Sequence, residues 1–276
     1  MFSAVGWIAG LFGLQFLASA ESPVQFYLAG GVSILFGLFS LALPPTPPRK
    51  TGADVTLREI LGLDALALLK RPSFAIFIGC MFLICIPLYI YFVNLGVYLT
   101  QLKWENMLVK TSLAQVSDVL FFLLLPFFLR RFGYKVTIFM GIACWVARYF
   151  ALGFSVDAAD SRNALIFTAI LLHGACYDFL FIAGQLYVDE QANERIRGAA
   201  QGFIAFILWG VGAFVGTYLA GKVLDAHQLA TPQGAITHAW RSIWFTPAIG
   251  AAVVMVVFLI FFREPAPVAP AAERRG

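Results

Sequence analysis

Of the chain's 276 residues, 61% are hydrophobic and only 12% charged, about half the ~25% of a soluble domain, so water is not its main solvent. Its net charge of +4 sits at the ends of apolar segments rather than in blocks, which excludes nucleic acid as a partner. Runs such as FFLLLPFFL at 121–129 do not alternate in polarity, which excludes a transmembrane β-barrel and leaves an all-α integral membrane protein surrounded by lipid.

A helical span needs roughly 20 apolar residues, and the chain offers about eight such stretches: 2–19, 24–43, 73–97, 107–130, 135–155, 164–186, 200–221 and 242–262. The first ends in Ala18-Ser19-Ala20, which looks like a leader cleavage site, but no basic residue precedes it and a span is expected. The only long polar interruption, 44–72, opens on Pro44-Pro45-Thr46-Pro47-Pro48 and ends at Lys70-Arg71. It reads as a linker whose 56–69 segment has the apolar spacing of a short surface helix. In 200–221, Gly212 and Gly216 form a small-xxx-small pair suited to close helix packing, and Trp240 and Trp244 fit an interfacial anchor at the start of the last span. Most of the 19 Lys and Arg fall on one side: in the linker, at Arg130, Arg131, Lys135, Arg195 and Arg197, and in the tail. The positive-inside rule then makes that side, both termini and the 263–276 tail cytoplasmic. Cys80, Cys85, Cys144 and Cys176 lie within spans as packing residues without metal-ligand spacing. No nucleophile-base motif or phosphate loop is present, so neither enzyme chemistry nor a cofactor is expected.

Polar side chains kept at mid-membrane depth are costly, which makes them the first functional candidates. Asp118 lies near the centre of its span with Gln115 one turn earlier on the same face, a polar stripe that points somewhere wet. His173 and Tyr177 share a face at i, i+4, while Asp178 is turned away from His173. Arg148 lies on the outer half of its span, where it either snorkels or holds a helix pair together. Two readings stay open for the aspartates: structural partnership with Arg148 or with backbone groups, or a role toward solute and proton.

Four segments in order, LGLDALALLK (61–70), LAQVSDVLFFLLLPFFLRRFGYK (113–135), HGACYDF (173–179) and IRGAAQG (196–202), resemble the nucleoside:proton symporters of the major facilitator superfamily. Arg131-Phe132-Gly133-Tyr134-Lys135 also resembles half of that superfamily's loop motif. The resemblance implies a twelve-helix fold of two six-helix lobes, of which this chain corresponds to the fifth helix onward. Residues 1–43 are then the last two helices of the N-terminal lobe, 44–72 the cytoplasmic linker and 73–262 the six-helix C-terminal lobe. It also implies that Trp7, Asn94, Gln115, Asp118, His173, Tyr177 and Asp178 contact nucleoside, His173 standing where a known member has tyrosine. Asp178 or Asp118 would carry the coupling proton. Pro87 and Ile90 depart from polar cavity positions of that member. The function implied is proton-coupled nucleoside uptake across the cell inner membrane. The alternatives are transport of another small polar solute such as a sugar, or a non-transporting lobe that packs against a partner, whether a second copy or a separate N-terminal lobe. Alone, one lobe and two helices are not expected to accumulate solute.

Overall fold

Apolar runs of this length must satisfy their backbone internally. In the computed structural model, which describes residues 2–17, 22–45, 63–230 and 236–264, they do so as helices. Helix α1 spans Phe2–Leu17 and α2 spans Val24–Ser40. A 3-10 helix, Leu63–Lys70, leads into α3, Pro72–Gln101, with proline in the first turn where its missing N–H costs nothing. A run follows over Met107–Ser155, and then α6, made of Arg162–Leu171 and His173–Gln191 with a bend of 41° between them. Helix α7, Arg197–Ala226, is joined by a small antiparallel hairpin, β1 (Gln228–Ala230) with β2 (Ile236–His238), to α8, Trp240–Phe261.

The Met107–Ser155 run has 49 residues and would be about 73 Å long if straight, more than twice the ~30 Å hydrocarbon core. It breaks at Gly133, whose φ of +74° disfavours any side chain. The segments 107–132 and 134–155 are α4 and α5. The Gly174 N–H on α6 donates to Ser117 Oγ at 3.1 Å, and Trp145 Nε1 donates to the Cys176 carbonyl at 3.1 Å. In a straight helix residues 117 and 145 would stand about 42 Å apart, yet both meet the same turn of α6, so α5 folds back along α4. The two spans expected on either side of Arg130-Arg131 are therefore two passes. Among the described residues four runs are long and apolar enough to cross a membrane, a fifth if α6 counts as one, and α1 and α2 are shorter apolar helices.

Helix α8 packs along the 113–155 run and α3, α7 along α3, and α6 along the same 113–155 run. The α3–α7 seam is close because Gly216 leaves room for the Cys85 carbonyl, which a Cβ would approach to 2.8 Å. One expectation needs correction. Trp240 and Trp244 are buried rather than interfacial: they stack on each other and meet Tyr98 of α3, and Trp240 Nε1 donates to Gln101 Oε1 at 2.8 Å. Their rings fill the core because α8 turns this face inward against α3. The expected surface helix at 56–69 falls partly outside the described residues, and its remainder is the 3-10 helix, which buries Ala65 and Leu68 against α3 and α7. The leader-like Ala18-Ser19-Ala20 and the tail from 265 lie outside the described residues.

One end of the bundle is tied by a single carboxylate. Glu264, just past α8, accepts from the Tyr134 and Lys135 backbone N–H groups at 2.9 and 3.1 Å, capping the free N-terminus that Gly133 opens on α5. The Tyr134 hydroxyl donates to Glu190 of α6 at 2.6 Å. Glu264→Ala is expected to cost about 1 kcal/mol, read as a lowered midpoint in thermal unfolding of the detergent-solubilised chain. An unchanged midpoint would show that the cap contributes nothing.

Candidate functional site

The polar stripe of α4 does meet open space. A cavity of about 580 Å3 lies between α1, α3, α4, α6 and α7, within the ~300–1,000 Å3 usual for small-molecule sites. Gln115 and Asp118 line it from α4, half-buried, and neither side chain has a hydrogen-bond partner among the described residues. A carboxylate and an amide left unpaired at this depth are groups waiting for a polar solute or water.

The same cavity has an aromatic wall. His173 and Tyr177 stack on α6 with ring centroids 5.8 Å apart and planes 26° apart, and Trp209 of α7 follows 6.5 Å beyond Tyr177. All three line the cavity, as do Tyr91 of α3 and, from α1, Trp7. The i, i+4 spacing places the two α6 rings on one face, and the close crossing of α4 and α6 at Gly174 and Ser117 brings that face to Asp118. Flat ring faces together with a carboxylate and an amide suit a planar ring that carries polar groups.

Three sequence candidates lie elsewhere. Asp178 is buried with Oδ2 unpartnered among the described residues; it follows Tyr177 and opens a π-turn, Asp178–Ile182, but is absent from the cavity wall, since the next residue on a helix points about 100° away. Asn94 is buried in α3, both amide atoms lack a partner among the described residues, and it too is behind the wall. Arg148 neither snorkels nor pairs with an aspartate. It is fully buried, its Nη1 donates to His173 Nδ1 at 3.2 Å, its Nη2 donates to the Tyr91 hydroxyl, and its guanidinium carbon lies 3.7 Å from the Tyr91 ring centroid. Among the described residues no carboxylate comes within ion-pair distance of it, which corrects the ion-pair expectation: α5 turns this position toward α3 and α6. Tyr91 and Trp209 were not singled out from sequence. With 16% of the chain aromatic, nothing marks two rings among so many.

A cysteine placed at 115 or 118, in a background without the four native cysteines, is expected to react with a small hydrophilic thiol reagent at least about tenfold faster than one at Leu123, which is 59% exposed on an apolar face. Equal rates would place the stripe against lipid.

The family profile described as "Nucleoside H+ symporter" matches residues 1–267. The chain is 36% identical over 273 residues to the putative nucleoside transporter YegT of Escherichia coli (strain K12), covering 94% of this chain and 63% of YegT. It is 30% identical to xanthosine permease of the same organism, covering 95% of this chain and 64% of the permease. The crystal structure of nucleoside transporter NupG superimposes with a TM-score of 0.76 at 27% identity, over 95% of this chain and 66% of that one. The chain thus spans a little under two thirds of the length of these curated relatives. On the profile match and the identity to these transporters, the chain is a multi-pass, all-helical membrane protein that belongs to the nucleoside H+ symporter family.

Proposed function

We propose that this chain supplies the solute-binding cavity of a proton-coupled nucleoside transporter of the bacterial inner membrane. Residues 73–262 act as the six-helix C-terminal lobe, residues 1–43 as the last two helices of the other lobe, and both termini face the cytoplasm. The observation that carries the reading is that Gln115 and Asp118, neither with a side-chain hydrogen bond among the described residues, line one cavity together with the His173, Tyr177 and Trp209 rings. The base stacks on the rings, and Asp118 and Gln115 take donor groups of the ribose or the base. Asp178, buried one residue beyond Tyr177, carries the coupling proton. The relatives named as nucleoside transporter and xanthosine permease support a nucleoside over a sugar.

Because Trp7 and Trp209 line the cavity, intrinsic fluorescence of the purified chain in lipid nanodiscs reports occupancy. Uridine or inosine is expected to quench it saturably, glucose is not, and Gln115→Ala with Asp118→Ala is expected to abolish the response. A response to glucose alone would favour a sugar. Silence toward all three would favour a lobe that only packs against a partner. Coupling is read separately, as proton-driven uptake by a chimera that joins the first spans of YegT to this chain.

A further inference from the structure

Arginine can only donate hydrogen bonds. The contact from Arg148 Nη1 to His173 Nδ1 therefore makes Nδ1 the acceptor, and the proton of the neutral ring sits on Nε2. A proton on Nδ1 would point at another N–H, and an imidazolium would set two cations 3.2 Å apart with no carboxylate beside Arg148 among the described residues. The guanidinium is itself held: Nη2 donates to Tyr91, and its central carbon lies over the Tyr91 and Trp145 rings, 3.7 and 5.0 Å from their centroids. Nε2 of His173 has no protein partner among the described residues and is left to the cavity. Having accepted from Arg148, Tyr91 keeps its own O–H to give. Among the described residues the titratable or charged groups near His173 and its partners are Tyr91 and Tyr89 from α3, Asp118 from α4, Arg148 and Tyr149 from α5, and Cys176, Tyr177 and Asp178 on α6 itself; α1 and α7 contribute Trp7 and Trp209.

We propose that Arg148 is a positioning residue that locks His173 as the neutral, Nε2-protonated imidazole, so that the α3–α6 side of the cavity donates hydrogen bonds to an acceptor edge of the solute while the α4 side accepts them. His173 then selects the solute and takes no part in carrying the proton. The lock stands on geometry alone; the direction of the donor toward a nucleobase rests on the function proposed above.

The chain has 3 histidines, and His227 is a built-in contrast, because its Nδ1 lies 2.8 Å from the Val223 carbonyl and must donate. In a nitrogen-15 spectrum of the histidine-labelled chain in nanodiscs, assigned by difference with His173→Gln, His173 is expected to show an unprotonated Nδ1 and a protonated Nε2 from about pH 5 to pH 8. An Nδ1-protonated or doubly protonated ring in that window overturns the lock. Arg148→Met is expected to release His173 into a tautomer mixture or a titration, and a folded Met variant that keeps the single tautomer overturns the positioning role. Should that variant not fold, a coupling across the Nη1–H to Nδ1 hydrogen bond in the unmodified chain decides: its presence supports the lock and its absence overturns it. For the donor role, His173→Phe is expected to weaken uridine binding about tenfold and His173→Gln, which restores an N–H, to recover most of the loss. Equal losses overturn that role. A chain that shows the tautomer but binds no nucleoside overturns the function proposed above and leaves the lock standing.

Discussion

Asp178→Asn, in a chimera that accumulates nucleoside under a proton gradient, is expected to retain solute exchange while the accumulation ratio falls at least tenfold, toward equilibration. The physical case rests on isolation. Asp178 is 1% exposed, its Oδ2 meets no donor among the described residues, and Arg148, the one buried arginine among them, is engaged with His173 and Tyr91 instead. A charge in hydrocarbon without a partner is expensive, so such a carboxylate changes its proton as water reaches or leaves it. Asn keeps the shape and the neutral hydrogen-bonding pattern but cannot cycle, so occupancy survives and coupling does not. Because Asp178 stands behind the cavity wall, exchange does not depend on its contact with solute. Intact accumulation by Asn would transfer the coupling role to Asp118, the neighbouring carboxylate, and loss of exchange together with accumulation would make Asp178 structural.

Gly174→Ala is expected to be the most destructive small substitution in the chain. A Cβ there would lie 2.3 Å from the Ser117 carbonyl oxygen, 2.5 Å from its carbon and 2.7 Å from the Asp118 nitrogen, all backbone atoms of α4 that have no rotamer to yield. The helices must part, and the Gly174 N–H to Ser117 Oγ bond is lost with their contact. The cost should be about 3 kcal/mol or more, seen as a drop of several degrees in the thermal midpoint, and nucleoside quenching should fall with it because Asp118 and Tyr177 flank the crossing. Gly198→Ala and Gly202→Ala, where a Cβ meets nothing within 4 Å, are the controls and should leave the midpoint within about 1 kcal/mol equivalent of the parent. A Gly174→Ala chain as stable as these would show that the crossing relaxes freely.

The spans were legible because a bilayer demands length and apolarity, and these survive in composition whatever the packing. Even the fold-back at Gly133 is foreshadowed by Arg130 and Arg131, two charges that cannot stay in hydrocarbon. Gln115, Asp118, His173 and Tyr177 were legible for the same reason, since polarity in a span is costly and helical spacing assigns it a face. Partnership was not legible. Arg148 was read against the aspartates because charge attracts charge, whereas the fold gives it an imidazole and a phenol. Trp240 and Trp244 were read as interfacial from their place at a span end, yet side-chain direction sends them inward. Among glycines, the pair at 212 and 216 announced itself by spacing. Gly174 did not, because its tight contact comes from a helix that lies 57 positions away in sequence.

The π-turns of α6 and α7, Asp178–Ile182 and Phe206–Val211, carry Asp178 and Trp209 and touch each other through Phe181 and Trp209, 6.2 Å between centroids. A π-turn is an α-helix holding one residue beyond what its ladder needs. Elsewhere in a span, deleting a single residue rotates everything downstream by about 100° and turns the lipid face into the core. Within these two turns the same deletion restores an ordinary α-helix and leaves both flanks in phase. Loss of one codon within either turn, beside the cavity, is therefore expected to leave the rest of its span in phase.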